Sequence, residues 1–153
     1  MKILKFGGTS VGSSENIQKV AKIVAEIDGP KIVVLSAMSQ TTNVLHQICD
    51  LIGASQFEEA KDTVAMLLER YKGVINDLYN SPQYHKKAAA FIEERFDFIS
   101  SYIHEAAVTV LSETEKIIVA QGEILSTNLF SLYMDEASVA ASYLSAFDFM
   151  RID

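Results

Sequence analysis

The spacing of apolar residues changes period several times along the chain, and each change marks a predicted element. Lys2–Phe6 (KILKF) is a short apolar run that reads as a strand. Gly7–Gly12 follows as a loop of glycines and hydroxyls, and Ser13 and Ser14 are good helix caps. Ile17, Val20, Ala21, Val24 and Ile27 then recur with the period of an amphipathic helix, which Asp28-Gly29-Pro30 ends. Lys31–Ala37 (KIVVLSA) is a β-branched run of the kind that sheets covered on both faces use. Strand, helix, strand in this order is a βαβ unit, which implies a parallel pair with a right-handed crossover. A second polar loop, Met38–Asn43, leads into a helix through Val44, Leu45, Ile48, Leu51 and Ile52, with Thr41 or Thr42 as its cap and Gly53 at its end.

The middle of the chain follows another rule. Phe57, Ala60, Val64, Leu67, Tyr71, Val74 and Leu78 alternate steps of three and four, and so do Ile92, Phe96, Ile99, Ile103, Ala106 and Val110. Asn80-Ser81-Pro82 separates the two series, so an antiparallel helical hairpin is predicted over about 56–111. Ser112 with Glu115 makes a capping box for a further helix running through Ile117 to about Met134. Asp135-Glu136 is read as a turn and Ala137–Ala141 as a third strand. The final SYLSAFDFMRID carries no closing element, so the chain reads as a fragment.

Composition narrows the function classes. At 153 residues the chain has a one-domain length, enough to bury about 70% of its extended surface. The net charge of −7 argues against nucleic acid and anionic membranes as partners, but not against a local basic pocket. One cysteine, Cys49, excludes an internal disulfide and is read as a buried small residue. With no signal peptide and no long apolar span, a cytoplasmic location is expected.

Three features can carry chemistry. Lys5 precedes Gly7 and Gly8, which is neither the Walker order nor a dinucleotide fingerprint. Bare glycines ahead of a helix can still bring backbone N–H groups and a partial positive charge to a phosphate, with Lys5 reaching its oxygens. A plain turn beside a surface lysine would have the same composition. The second loop sets Ser36, Ser39, Thr41, Thr42 and Asn43 after a strand, and loops at the carboxyl ends of parallel strands are where open α/β sheets bind ligands. Glu123 is the sole charged residue from Ile117 to Met134, which predicts a buried carboxylate that either takes up a proton or faces a cation, a ligand's or a lysine's. Gly122 beside it suggests close packing. His46, His85 and His104 show no metal-ligand spacing with one another or with Cys49.

KFGGTSVG (Lys5–Gly12), VVLSAMSQTTN (Val33–Asn43) and QGEILST (Gln121–Thr127) together resemble the amino-terminal catalytic region of aspartate kinases, in order and spacing over essentially the whole chain. The resemblance implies part of a three-layer αβα amino-acid kinase fold of the carbamate kinase-like type, with residues 56–111 as a long helical hairpin insertion. It implies phosphoryl transfer from ATP, with Mg2+ carried on the nucleotide, to the side-chain carboxylate of L-aspartate, the first step of lysine, threonine and methionine biosynthesis. The residues it implies are Lys5 as the phosphate-holding catalytic cation, Phe6, Gly7, Gly8 and Ser36 at ATP, and Thr42 and Glu123 at aspartate, Glu123 facing its ammonium. No metal site of the protein's own is implied, and the full-length protein is expected to be a homo-oligomer. Two positions depart from the pattern: Gln40 stands where many relatives have Gly, which predicts a differently shaped loop, and Gln121 where they often have His. The Gly-Arg-Gly-Gly-Ser-Asp segment and the regulatory domains are not in these residues. Residues 1–153 are therefore expected to form the first half of the kinase domain, with little activity alone and an uncovered apolar sheet face. Two other readings remain open: a kinase of this fold for another acidic amino acid, and a non-catalytic module that interacts through the hairpin.

Overall fold

The protein is described by a computed structural model covering residues 1–105 and 111–145. Two strands and five helices follow in the order β1 (Lys2–Phe6), α1 (Ser14–Glu26), β2 (Lys31–Leu35), α2 (Thr41–Gly53), α3 (Phe57–Leu78), α4 (Pro82–Glu105) and α5 (Leu111–Glu136). β1 and β2 pair in parallel, with Ile3 opposite Ile32 and Lys5 opposite Val34. The crossover between them is α1, whose N-cap Ser13 accepts a hydrogen bond from the Asn16 amide. Lys31 Nζ donates to the Val24 carbonyl at 3.0 Å and satisfies an end of α1 that no intrahelical donor reaches.

The two strands have unlike faces. Leu4, Phe6, Val33 and Leu35 turn toward the helices and pack on the core. Ile3, Ile32 and Val34 alternate with them and remain 68%, 42% and 44% exposed. The expectation of a strand buried on both faces is thus met on one face only, because the described helices lie on one side of the sheet. The expected uncovered apolar face is this one. The strand also stops at Leu35, since Ser36–Ala37 turn away to begin the second loop.

The core is mostly helix on helix. α3 packs against α1, α2 and α4, and α4 in turn against α5. The three-residue connection Tyr79–Ser81 makes α3 and α4 antiparallel neighbours, and Pro82 takes the first helical position, where its missing N–H costs nothing. The inward positions Val64, Leu67, Tyr71, Ile75, Ile92, Phe96 and Ile99 are buried, each large apolar side chain contributing about 1.5–3 kcal/mol. Tyr71 meets Phe96 edge to face at 5.7 Å. Glu136 Oε1 accepts from the amides of Asn80 and Ser81 at 3.2 and 2.7 Å, so the end of α5 neutralises the start of α4.

Several expected boundaries move. Ala137–Ala141 is not a strand. The Ser138 amide bonds the Asp135 carbonyl, the Val139 amide bonds the Met134 carbonyl, and Ser138 has φ 58°, the left-handed closure that ends a helix. α2 ends at Gly53 as expected, but the left-handed closure after it falls to Ser55, with φ 59°, and not to the glycine. Thr41 and Thr42 are not caps: Gln40 holds the N-cap position of α2 and makes no side-chain capping bond. Ser112 lies one residue inside α5 and so is not at its N-cap. Ala106 and Val110 lie outside the described residues.

Candidate functional site

Three pieces of chain, distant in sequence, meet at the carboxyl ends of the strands. The first two loops are joined by backbone. The Ser36 amide donates to the Phe6 carbonyl at 3.1 Å, extending the pairing one step beyond the strands. The Gly8 carbonyl accepts from both the amide and the hydroxyl of Ser39, at 3.1 and 2.9 Å. This approach needs glycine. A Cβ on Gly8 would stand 2.7 Å from the Ala37 carbonyl oxygen, and one on Gly12 would stand 2.4 Å from Ser39 Oγ. Gly7 differs, since a Cβ there would meet nothing within 4 Å, and its side toward solvent is open.

The third piece comes from α5. Ser126 Oγ donates to the Ser36 carbonyl at 2.8 Å, and Glu123 Oε1 accepts from the Ala37 amide at 3.4 Å. Between them, Gly122 lets the helix lie against the loop: its added Cβ would be 2.8 Å from the Ala37 Cβ and 3.4 Å from both Leu45 Cδ1 and Thr41 Cγ2. The close packing inferred from Gly122 is present. The burial inferred for Glu123 is not, because its side chain is exposed. A helix poor in charge is buried on average, but Glu123 occupies the stripe of α5 that emerges past the end of β2, where one carboxylate oxygen meets a backbone N–H and the carboxylate stays in contact with water.

The other candidate residues fall around the same rim. Lys5 is exposed, one residue before the end of β1, and leaves the sheet on the open face that it shares with Val34. Phe6, Gly7, Gly8 and Ser36 are half-buried in the joined loops. Thr42 is half-buried in the first turn of α2. The rim is therefore open, with a cation rooted on one face of the sheet and a carboxylate reaching it from the helical face. Two cavities lie away from it, one between Cys49, Asp50, Thr114 and Glu115, and one beside Asn80, Tyr133 and Glu136. At the first, burial and the nearby Glu115 and Asp50 carboxylates push the Cys49 thiol up to about 11. Cys49 itself is half-buried, less deeply than expected.

Gln40 has φ 67° and ψ −12°, a left-handed conformation. The loop thus keeps the backbone shape that Gly would favour, contrary to the expectation that Gln would reshape it. Two residues that the sequence reading did not place near the loop support it from α3. The Arg70 guanidinium donates to the Ser39 carbonyl, and the Tyr71 hydroxyl bonds Thr41 Oγ1 at 3.1 Å, both of the latter residues being buried. Burial pushes the Tyr71 hydroxyl up to about 12, so it remains a neutral bonding partner. The one available signal was general: a tyrosine at a core position needs a partner for its hydroxyl.

Among the described residues no group of three or more His, Cys, Asp or Glu side chains is placed to hold a metal ion, and no helix is long and apolar enough to cross a membrane. The model of the amino acid kinase family matches residues 1–152. Aspartokinase 1, chloroplastic, of Arabidopsis thaliana is 28% identical over 95% of this chain, which covers 25% of that protein. The bifunctional aspartokinase/homoserine dehydrogenase of Daucus carota is 31% identical over 99% of this chain, which covers 16% of it. Among solved structures, E. coli aspartokinase III in complex with aspartate and ADP superposes with a TM-score of 0.68 at 25% identity, over 95% of this chain and 31% of that one. The chain thus spans a quarter or less of the length of these two relatives.

Proposed function

The chain belongs to the amino acid kinase family, and from that premise we propose that the whole polypeptide carrying it transfers a phosphoryl group from ATP to the side-chain carboxylate of L-aspartate. The observation that carries the reading is the convergence of three segments on one rim: the Lys5–Gly8 loop, the Ser36–Thr42 loop and Glu123. The relatives named above are aspartokinases, and the solved one binds aspartate and ADP.

Each residue has a role that its placement allows. Gly7, open on its outer side, lets backbone N–H groups approach phosphate, and the capped start of α1 behind the loop adds a partial positive charge. Lys5 holds the transferring phosphoryl group and offsets charge that builds on its oxygens, with Phe6 and Ser36 lining the nucleotide side. Thr42 presents its hydroxyl to the substrate, and Glu123 faces the aspartate ammonium. An exposed carboxylate suits that role better than a buried one, since it needs no standing counter-ion before the ligand arrives. Such catalysis is chiefly positioning and electrostatics. Magnesium, arriving on the nucleotide, would share the phosphate charge; the side chains described here do not group to hold it themselves.

The test is kinetic. Formation of ADP is measured with the whole polypeptide, unaltered and as Lys5→Ala and Glu123→Ala, against aspartate and glutamate. Lys5→Ala is expected to lower kcat at least a hundredfold, on the order of an oxyanion-stabilising donor. Glu123→Ala is expected mainly to raise KM for aspartate. Kinetics unchanged in both variants would remove the site assignment, and turnover with glutamate in place of aspartate would remove the substrate.

A further inference from the structure

Ser39, Gln40 and Thr41 are gripped from two sides. On one side Ser39 is bonded through its amide and hydroxyl to the Gly8 carbonyl. On the other, two consecutive residues of α3, some thirty positions later, reach the residues that flank Gln40: Arg70 the Ser39 carbonyl, Tyr71 the Thr41 hydroxyl. Gln40 itself is exposed and left-handed, and its side chain accepts from Asn43 Nδ2 at 3.1 Å. A non-glycine residue rarely adopts this backbone shape, and such a conformation persists when the surroundings over-determine it. α2 gets no help from a side-chain cap: Gln40 at the N-cap makes no capping bond, and the Thr41 hydroxyl, one position inside, bonds Tyr71.

We propose that Arg70 and Tyr71 are positioning residues that hold the second loop in its left-handed form and so fix where Thr42 and the first turn of α2 face the site. The inference rests on the proposed function only for the identity of the ligand. It gives the α3–α4 pair a task beyond filling the core: the helix pair sets the loop from below, and the loop sets the substrate side of the rim. Neither residue is a contact of the substrate. Both act through Ser39 and Thr41.

The test uses the whole polypeptide with Arg70→Met, Tyr71→Phe, and each combined with Gln40→Gly. Hydrogen exchange is followed at the amides of Ser39, Thr41 and Val44, which bond the carbonyls of Gly8, Met38 and Gln40. Each single variant is expected to speed exchange there about tenfold, by loss of a hydrogen bond worth roughly that factor, and to leave the amides of α4 and α5 unchanged. Gln40→Gly is expected to restore most of the protection and, in the kinetic assay, to reverse a rise in KM for aspartate. A residue that merely packs would speed exchange along the whole of α3 and α4, and glycine at position 40 would not repair it; that result, or no local change, overturns the inference. Local exchange that responds as expected in a polypeptide that does not use aspartate counts against the functional reading and leaves the positioning role standing.

Discussion

Replacing Gly122 by Ala tests whether α5 lies against the second loop as closely as the geometry states. The new Cβ would stand 2.8 Å from the Ala37 Cβ, with Leu45 Cδ1 and Thr41 Cγ2 each at 3.4 Å. Carbon atoms in ordinary contact are about 3.5–4.0 Å apart, so helix or loop must retreat by roughly 1 Å. The Ala37 Cβ is fixed to backbone and cannot rotate away. Overpacking of this kind costs about 1–3 kcal/mol, while Ala in place of Gly in a helix returns about 1 kcal/mol. A net loss of about 1 kcal/mol is expected, or roughly 2–4 °C in Tm at this chain length. Urea denaturation followed by circular dichroism measures it. Gly73→Ala is the matched control, because Gly73 sits inside α3 where a Cβ would meet nothing within 4 Å. There the helix gain stands alone, and stabilisation of about 0.5–1 kcal/mol is expected. Ala37→Gly combined with Gly122→Ala should recover stability relative to the sum of the single changes. If Gly122→Ala is as stabilising as Gly73→Ala, the close approach is wrong, and with it the route by which Glu123 reaches the Ala37 amide.

Three further outcomes are expected. Gln40→Gly should raise stability by about 1 kcal/mol in thermal or urea unfolding, because an L-residue in the left-handed region costs about 1–2 kcal/mol and the exposed bond to Asn43 that it loses is worth little; a loss of stability would mean that the Gln40 side chain, not the α3 residues, holds the turn. The Cys49 thiol, raised from its usual value near 9 to about 11, should react with iodoacetamide at pH 8 at least tenfold more slowly in the folded protein than after unfolding, and equal rates would refute its partial burial. Cys49 and Tyr71 are both acids whose folded values lie above their unfolded ones, so each favours folding below its unfolded value and loses that contribution as pH rises to the folded one. Stability should therefore fall between pH 9 and 12, and Cys49→Ala should flatten the part of the curve between pH 9 and 11.

How much of this was legible in the sequence depends on the range of the interaction concerned. The βαβ start, the cap at Ser13 and the two long helices follow from local period and local hydrogen bonding, so Ile17 to Val24 and Ala60 to Leu78 announce their buried faces directly. Ala137–Ala141 failed because its small and β-branched residues suit either an extended run or a helix exit, and only the carbonyls of Met134 and Asp135, waiting for donors, decide between them. The left-handed Gln40 carries no local signature, since the residue that would advertise it is glycine and its support lies some thirty positions away.

Glu123 shows the same limit at the site. Its isolation among apolar neighbours was legible, and the inference from isolation to burial was reasonable for a helix taken alone. Depth, however, is a property of what lies opposite each stripe of the helix. α5 is covered where Gly122 meets Ala37 and Leu45, where Ser126 meets Ser36 and where Leu125 is buried, and it is open at Glu123, past the end of the sheet. The same sheet edge leaves Lys5 in solvent on the opposite face. Glu123 and Lys5, which the resemblance implies at aspartate and at ATP, are two exposed charges on either side of one strand end. They come to act on the same ligand only if that ligand spans the rim from Gly7 to Thr42.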